Sequence, residues 1–190
     1  MSLSQRARTL LTARANPPVW MTRFSKTIGI PVIVLCLVAI YGLVFGRIVL
    51  NGSDSLAARG FYVVVWPKPL IRDAIVVSDP PARFTDKFAG LVFTKHLKGL
   101  PGDRIVHVDG NVCIKDACFA PGIKEGESFG TPLAQGIIPQ GYVALFGETN
   151  TSLDSRYQEV GLFPISGIKG VGFAIPYFPD WTVLKERIGS

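Results

Sequence analysis

The sequence predicts a mostly β fold, a compact sheet or partly closed barrel, standing behind one N-terminal membrane-spanning helix. Three features carry that expectation. Residues 27–46 hold no charged side chain and are dominated by Ile, Val and Leu; wound as a helix they reach about 30 Å, the thickness of a bilayer core. Most of the chain beyond residue 50 is cut by glycine and proline into short runs of β-forming residues. Asp109-Gly110, set between Arg104–Val108 and Asn111–Ile114, is a strong hairpin signal. The chain therefore divides into a basic tail (1–26), a transmembrane helix (27–46) and a β-rich domain (51–190).

The tail sets the orientation. Arg6, Arg8, Arg14, Arg23 and Lys26 precede the helix with no acidic residue among them, and Arg47 alone follows it closely. Positive charge is retained in the cytoplasm, so the N-terminus is expected inside and residues 51–190 outside the cytoplasm. The net charge of +6 is mostly this tail, since residues 27–190 carry fifteen basic against fourteen acidic groups. The high pI is a topology signal, and no nucleic-acid partner is expected. A cleaved signal peptide would have a shorter apolar core with a small-residue site close behind, but Ala57-Ala58 lies more than ten residues downstream. A retained anchor in the lipid bilayer is the better reading, with Pro31 tolerated in the first turns.

Within the exported part, Ser53–Gly60 is small and polar, and Phe61–Trp66 is strand-forming until Pro67 and Pro69 close it. A run from Ala74 to Val77 precedes the Pro80-Pro81 loop, and a strand from Leu91 to Lys98 ends at the Gly99-Leu100-Pro101-Gly102 turn. After the hairpin, residues 120–139 read as a long loop or short irregular strands. Gly141–Gly147 reads as a buried strand, Glu148–Asp154 as a polar turn, Ile165–Ile175 as late strands with glycine bends, and Trp181–Ile188 as weakly helical. Cys36 falls in the membrane helix, whereas Cys113 and Cys118 lie in the exported part, where a disulfide between them is expected to persist. Cys-x4-Cys with only His96 and His107 in the chain makes no ligand set, so no metal or other cofactor is expected.

Candidate chemistry begins at Lys95. Strand alternation puts it on the same face as Leu91, Phe93 and Leu97, with Val92, Thr94, His96 and Lys98 opposite. An ammonium among apolar neighbours loses hydration and its pKa falls, which makes a neutral amine able to take a proton. The competing reading is a lysine that snorkels to the rim of the sheet. With two histidines, of which His96 lies on the face opposite Lys95, the chain offers no plausible Ser-His-Asp set, which leaves serine paired with lysine. Ser55, in the turn after the anchor, is the candidate nucleophile, and Ser53 could join the Ser55 N–H in an oxyanion hole. Ordinary turn chemistry is the alternative for this Ser-x-Ser.

Three blocks then stand in order: Ser53-Asp54-Ser55-Leu56, Lys95-His96-Leu97-Lys98-Gly99-Leu100-Pro101-Gly102-Asp103, and Gly147 through Ser152-Leu153-Asp154-Ser155-Arg156. Together they resemble the signature blocks of bacterial type I signal peptidases over about residues 51–175. The single anchor, the small size and Arg59-Gly60-Phe61-Tyr62 look more like the conjugative-transfer enzymes of TraF type, which mature pilin precursors, than the housekeeping leader peptidase. The resemblance implies a signal-peptidase-like coiled β-sheet. It also implies Ser55 as nucleophile, Lys95 as general base, Ser53 at the oxyanion position, Ser152 orienting the Lys95 amine, and Asp154 with Arg156 as a supporting ion pair. The implied substrate is a pilin or another exported precursor, added as a strand beside the segments carrying Ser55 and Lys95. Other proteins of a conjugation system are implied partners.

The chain departs from the family pattern at three places. Leu56-Ala57-Ala58-Arg59-Gly60 lacks the usual proline after the nucleophile, Gly147-Glu148-Thr149-Asn150 replaces Gly-Asp-Asn, and Lys98 stands where an apolar residue is common. Two other classes compete with the peptidase: a catalytically silent scaffold of a secretion complex, and a self-cleaving Ser-Lys repressor, which would need a DNA-binding helix pair where this chain has a membrane helix. Phe61–Trp66, Phe173, Tyr177 and Phe178 are expected either at the bilayer surface or in the core.

Overall fold

Residues 25–124 and 127–177 are described by the structure, a computed structural model. Most of the basic tail, Phe178 and the expected helix at Trp181–Ile188 lie outside them. The chain divides between Val44 and Phe45 into two units. In the first, a π-helical turn at Ser25–Gly29 leads into helix α1, Ile30–Phe45. Thr27–Phe45 is long and apolar enough to cross a membrane. None of the α1 residues is buried, and a helix apolar on every side needs an apolar surrounding to be stable.

The second unit is mostly β, as expected. Its largest sheet contains β1 (Gly46–Leu50), β2 (Gly60–Val64), β3 (Ile75–Ser78), β4 (Phe93–Gly99), β11 (Tyr142–Phe146), β12 (Phe163–Pro164) and β13 (Ile168–Ala174), in the order β1-β2-β13-β3-β4-β11-β12. Every pairing is antiparallel. The order is linear, so this sheet stays open among the described residues. A four-stranded sheet runs β10 (Gly136–Ile137), β5 (Arg104–Val108), β6 (Asn111–Ile114), β7 (Ala117–Phe119), and the short pair β8 (Ile123–Lys124) and β9 (Glu127–Ser128) stands apart.

The domain begins earlier than its expected boundary at residue 51. Gly46–Leu50 pairs with Gly60–Val64 along its whole length. Ile48, Val49 and Leu50 continue the apolar run of α1, so composition alone does not separate helix from strand here. The β5–β6 hairpin turns at Asp109-Gly110, both with positive φ, and the disulfide Cys113–Cys118 cross-links the next hairpin between paired positions of β6 and β7.

β4 positions the site. Its burial alternates strictly: Phe93, Lys95, Leu97 and Gly99 are buried, while Thr94, His96 and Lys98 are partly exposed. Phe93 and Leu97 enter a core with Val76, Val143, Leu145, Tyr157, Phe163 and Ile168. At the end of β4, Gly102 takes φ +88°, the third position of a Pro-Gly turn that residues with a Cβ rarely adopt, and the Asp103 carboxylate accepts from Leu100 N. A second core of Leu56, Phe61, Val63, Ile75 and Val77 lies beneath the β1–β2 connection. Phe61 and Val63 are therefore core residues and not bilayer contacts, whereas Trp66, Phe173 and Tyr177 are exposed.

Candidate active site

The turn between β1 and β2 carries Ser53 and Ser55 on an asparagine scaffold. Buried Asn51 donates from Nδ2 to the carbonyls of Leu56 and Ala58, both at 2.9 Å, and its Oδ1 accepts from Ser53 N at 3.0 Å and Ser53 Oγ at 3.1 Å. Three of its four contacts bind the backbone, so the loop needs no proline to hold its shape. Leu56 locks the same loop from below as a fully buried core residue. Ser55 remains half-buried, with Oγ 3.1 Å from Ser53 Oγ and its N–H donating to Ser53 Oγ at 3.4 Å. That last bond is long, and an incoming carbonyl oxygen could displace it.

Lys95 is 4 % exposed, which rules out snorkelling to the rim. Burial pushes its pKa down from 10.5 to about 8; the Asp154 carboxylate pulls it up and the Arg156 guanidinium pushes it down. The two charges oppose each other because they are locked together. Arg156 Nε and Nη2 donate to Asp154 Oδ1 and Oδ2 at 2.8 and 2.9 Å, a bidentate pair buried on both sides. Asp154 also accepts from the backbone N–H of Gly147 and Arg156, and Arg156 donates to the carbonyls of Gly147 and Ala120. With Asp154 neutralised in this way, desolvation decides the state of Lys95.

Lys95 Nζ lies 2.8 Å from Ser152 Oγ, and the Phe93 ring lies 5.8 Å from the amine. Among the described residues, no hydrogen bond joins Ser55 to Lys95. Both nevertheless line one groove of about 690 Å³, together with Ser53 and Ser152. Asp154 and Arg156 stand behind its wall. Along one side of the groove, β11 stops pairing with β4 at His96, so Phe93–Lys95 has a strand neighbour only on the β3 side. Lys98 faces away and pairs with Asp73 at 2.6 Å, as expected of a lysine that is not the base.

Two features escaped sequence reasoning. One is Asn51, which in the sequence looks like half of an Asn-Gly turn. The other is Glu148, whose N–H donates to Ser55 O at 2.7 Å while Oε2 accepts from Ala57 N at 2.7 Å and Oε1 lies 2.9 Å from His96 Nε2.

The family model described as "Signal peptidase, peptidase S26" matches residues 21–177. The chain belongs to that family. Membership makes it a serine peptidase relative acting on precursor proteins, and together with the apolar N-terminal helix it supports membrane anchoring. Among solved structures, a signal peptidase I from Enterococcus faecalis is 21% identical, with 55% of this chain and 97% of that chain covered at a TM-score of 0.37. No curated protein matches the chain.

Gly147 is where the third block packs against Ser55 of the first. A Cβ built there would overlap Ser152 Oγ and lie 2.9 Å from the Ser55 carbonyl oxygen. Gly147→Ala is expected to displace Ser152 from Lys95 and to cost about 1–3 kcal/mol of stability from overpacking. Denaturant unfolding would read the loss, and an unchanged midpoint would mean the turn yields freely.

Proposed function

We propose that the chain is a membrane-anchored serine endopeptidase in which Ser55 is the nucleophile and Lys95 the general base. The observation that carries this reading is a buried lysine with its pKa near 8, oriented by Ser152, in the same groove as the half-buried Ser55. The substrate lies as an added strand along Leu91–Lys95. Ser55 gives its hydroxyl proton to Lys95 Nζ, and Oγ attacks the scissile carbonyl carbon. The oxyanion accepts from Ser55 N–H and Ser53 Oγ–H. Collapse expels the amine with the proton from Lys95 and leaves an acyl-enzyme. Water, deprotonated by the same lysine, releases the acid; the substrate's own amino terminus would instead close a cyclic product.

A conjugative pilin precursor is the favoured substrate, on the strength of the Arg59-Gly60-Phe61-Tyr62 run. Other conjugation proteins are then the natural partners. The basic tail favours a cytoplasmic N-terminus and a periplasmic domain on the bacterial inner membrane. Exposed Trp66 and Phe173 suit contact with lipid headgroups.

Co-expression with candidate pilin precursors, followed by mass spectrometry, tests the reading. Wild type should process the precursor and Ser55→Ala should not; a product one water lighter than the hydrolysed form identifies cyclisation. Because the amine must be neutral to accept the proton, kcat/KM should rise with pH and reach half its maximum near pH 8. Equal processing by Ser55→Ala would instead favour the silent scaffold.

A further inference from the structure

We propose that Glu148 is a positioning residue that ties the Ser55 turn to the Lys95 strand. The inference rests on the peptidase reading but is carried by separate contacts. The β1–β2 turn is organised internally by Asn51 and seated on the core by Leu56; a polar link to β4 comes from elsewhere. Glu148 supplies the link. Its backbone N–H holds the Ser55 carbonyl at 2.7 Å, and Oε2 holds Ala57 N at 2.7 Å, so one residue grips the turn on both sides of Leu56. Oε1 reaches across to His96 Nε2 at 2.9 Å, on the residue next to Lys95.

His96 is itself held from its other ring nitrogen, which lies 3.2 Å from the Asp73 carbonyl oxygen. Asp73 is fixed in turn: its N–H donates to Leu97 O at 2.8 Å, and its carboxylate pairs with Lys98. The chain of contacts therefore runs from the nucleophile turn through Glu148 and His96 into β4 and the segment before β3. Burial pushes the Glu148 carboxyl pKa up, but the His96 and Ala57 hydrogen bonds outweigh it and hold the group below its usual range. It stays ionised and acceptor-only, as two N–H donors require. The length of the glutamate side chain is what lets one carboxylate serve both the turn and the strand.

A nucleophile misplaced by about 1 Å can cost about a hundredfold in rate. Glu148→Ala is accordingly expected to lower kcat about a hundredfold with KM within about twofold, because Glu148 itself does not line the groove and the β4 side of it stays in place. Glu148→Gln keeps an oxygen for Ala57 N and should recover most of the rate. Glu148→Asp keeps the charge but is too short to serve both partners and should fall between. Amide hydrogen exchange provides a readout independent of turnover: Ala57 N–H should exchange at least tenfold faster in the alanine variant than in wild type or the glutamine variant. Unchanged Ala57 exchange, or a kcat loss that merely follows the folded fraction, would overturn the proposal. If wild type processes no precursor, the peptidase reading fails while the exchange comparison still decides whether Glu148 holds the turn.

Discussion

Replacing Lys95 with methionine is expected to abolish precursor processing and, at neutral pH, to make the protein more stable. The first effect comes from removing the buried amine proposed to take the serine proton, a loss of about a thousandfold or more. The second comes from burial. Lys95 has its pKa lowered from 10.5 to about 8. Below pH 8 the amine is charged in both the folded and the unfolded chain, and the folded state bears the cost of desolvating it. At about 1.4 kcal/mol per pH unit that shift corresponds to about 3 kcal/mol, and the orphaned Ser152 hydroxyl returns about 1 kcal/mol of it as lost hydrogen bonding. A net gain of about 2 kcal/mol at pH 7 remains. Between pH 8 and 10.5 the unfolded chain binds more protons than the folded one, so wild-type stability rises with pH and the advantage of methionine shrinks. Denaturant midpoints at pH 7 and pH 10 would measure both ends. A Lys95→Met protein less stable than wild type at pH 7 would mean that Lys95 is better solvated or paired than its burial implies.

Such a trade of stability for a neutral amine was partly legible in the sequence. The period-two pattern of Phe93, Lys95 and Leu97 was enough to place the lysine on a buried face, because strand alternation is local and turn chemistry closes the strand at Pro101-Gly102. The hairpin at Asp109-Gly110 was legible for the same reason. Contacts between segments distant in sequence lay beyond reach. Nothing in Glu148 alone points to Ala57, ninety-one residues earlier, and nothing in Asn51 distinguishes a turn residue from the centre of a loop. The strand Gly46–Leu50 was hidden for a different reason: apolar composition is common to a membrane helix and a strand, and only pairing with Gly60–Val64 separates them. The position of Ser55 relative to Lys95 was likewise a matter of tertiary packing. The structure places both in one groove, with the lysine bonded to Ser152 rather than to Ser55.

The Asp154–Arg156 pair should show the largest stability effect of any single change, and the two halves should move Lys95 in opposite directions. Removing one partner of a fully buried, bidentate pair leaves the other charge uncompensated, at a cost of about 3–5 kcal/mol. Asp154→Asn and Arg156→Met are each expected to melt well below wild type, and the double replacement should recover part of the loss, since no isolated charge then remains buried. Thermal melts of the four proteins in detergent give the coupling. The proton balance provides the sharper contrast. Without Arg156, the Asp154 carboxylate acts on Lys95 unopposed and raises its pKa, so the midpoint of the kcat/KM–pH profile should move above pH 8 and activity at neutral pH should fall. Without the Asp154 charge, Arg156 pushes the midpoint down and the neutral amine persists to lower pH. If both midpoints moved the same way, or neither moved, the pair would be a structural brace with no hold on the lysine's proton. Opposite shifts would identify its second role, which is to bury two charges beside Lys95 while leaving desolvation to set the pKa of the amine.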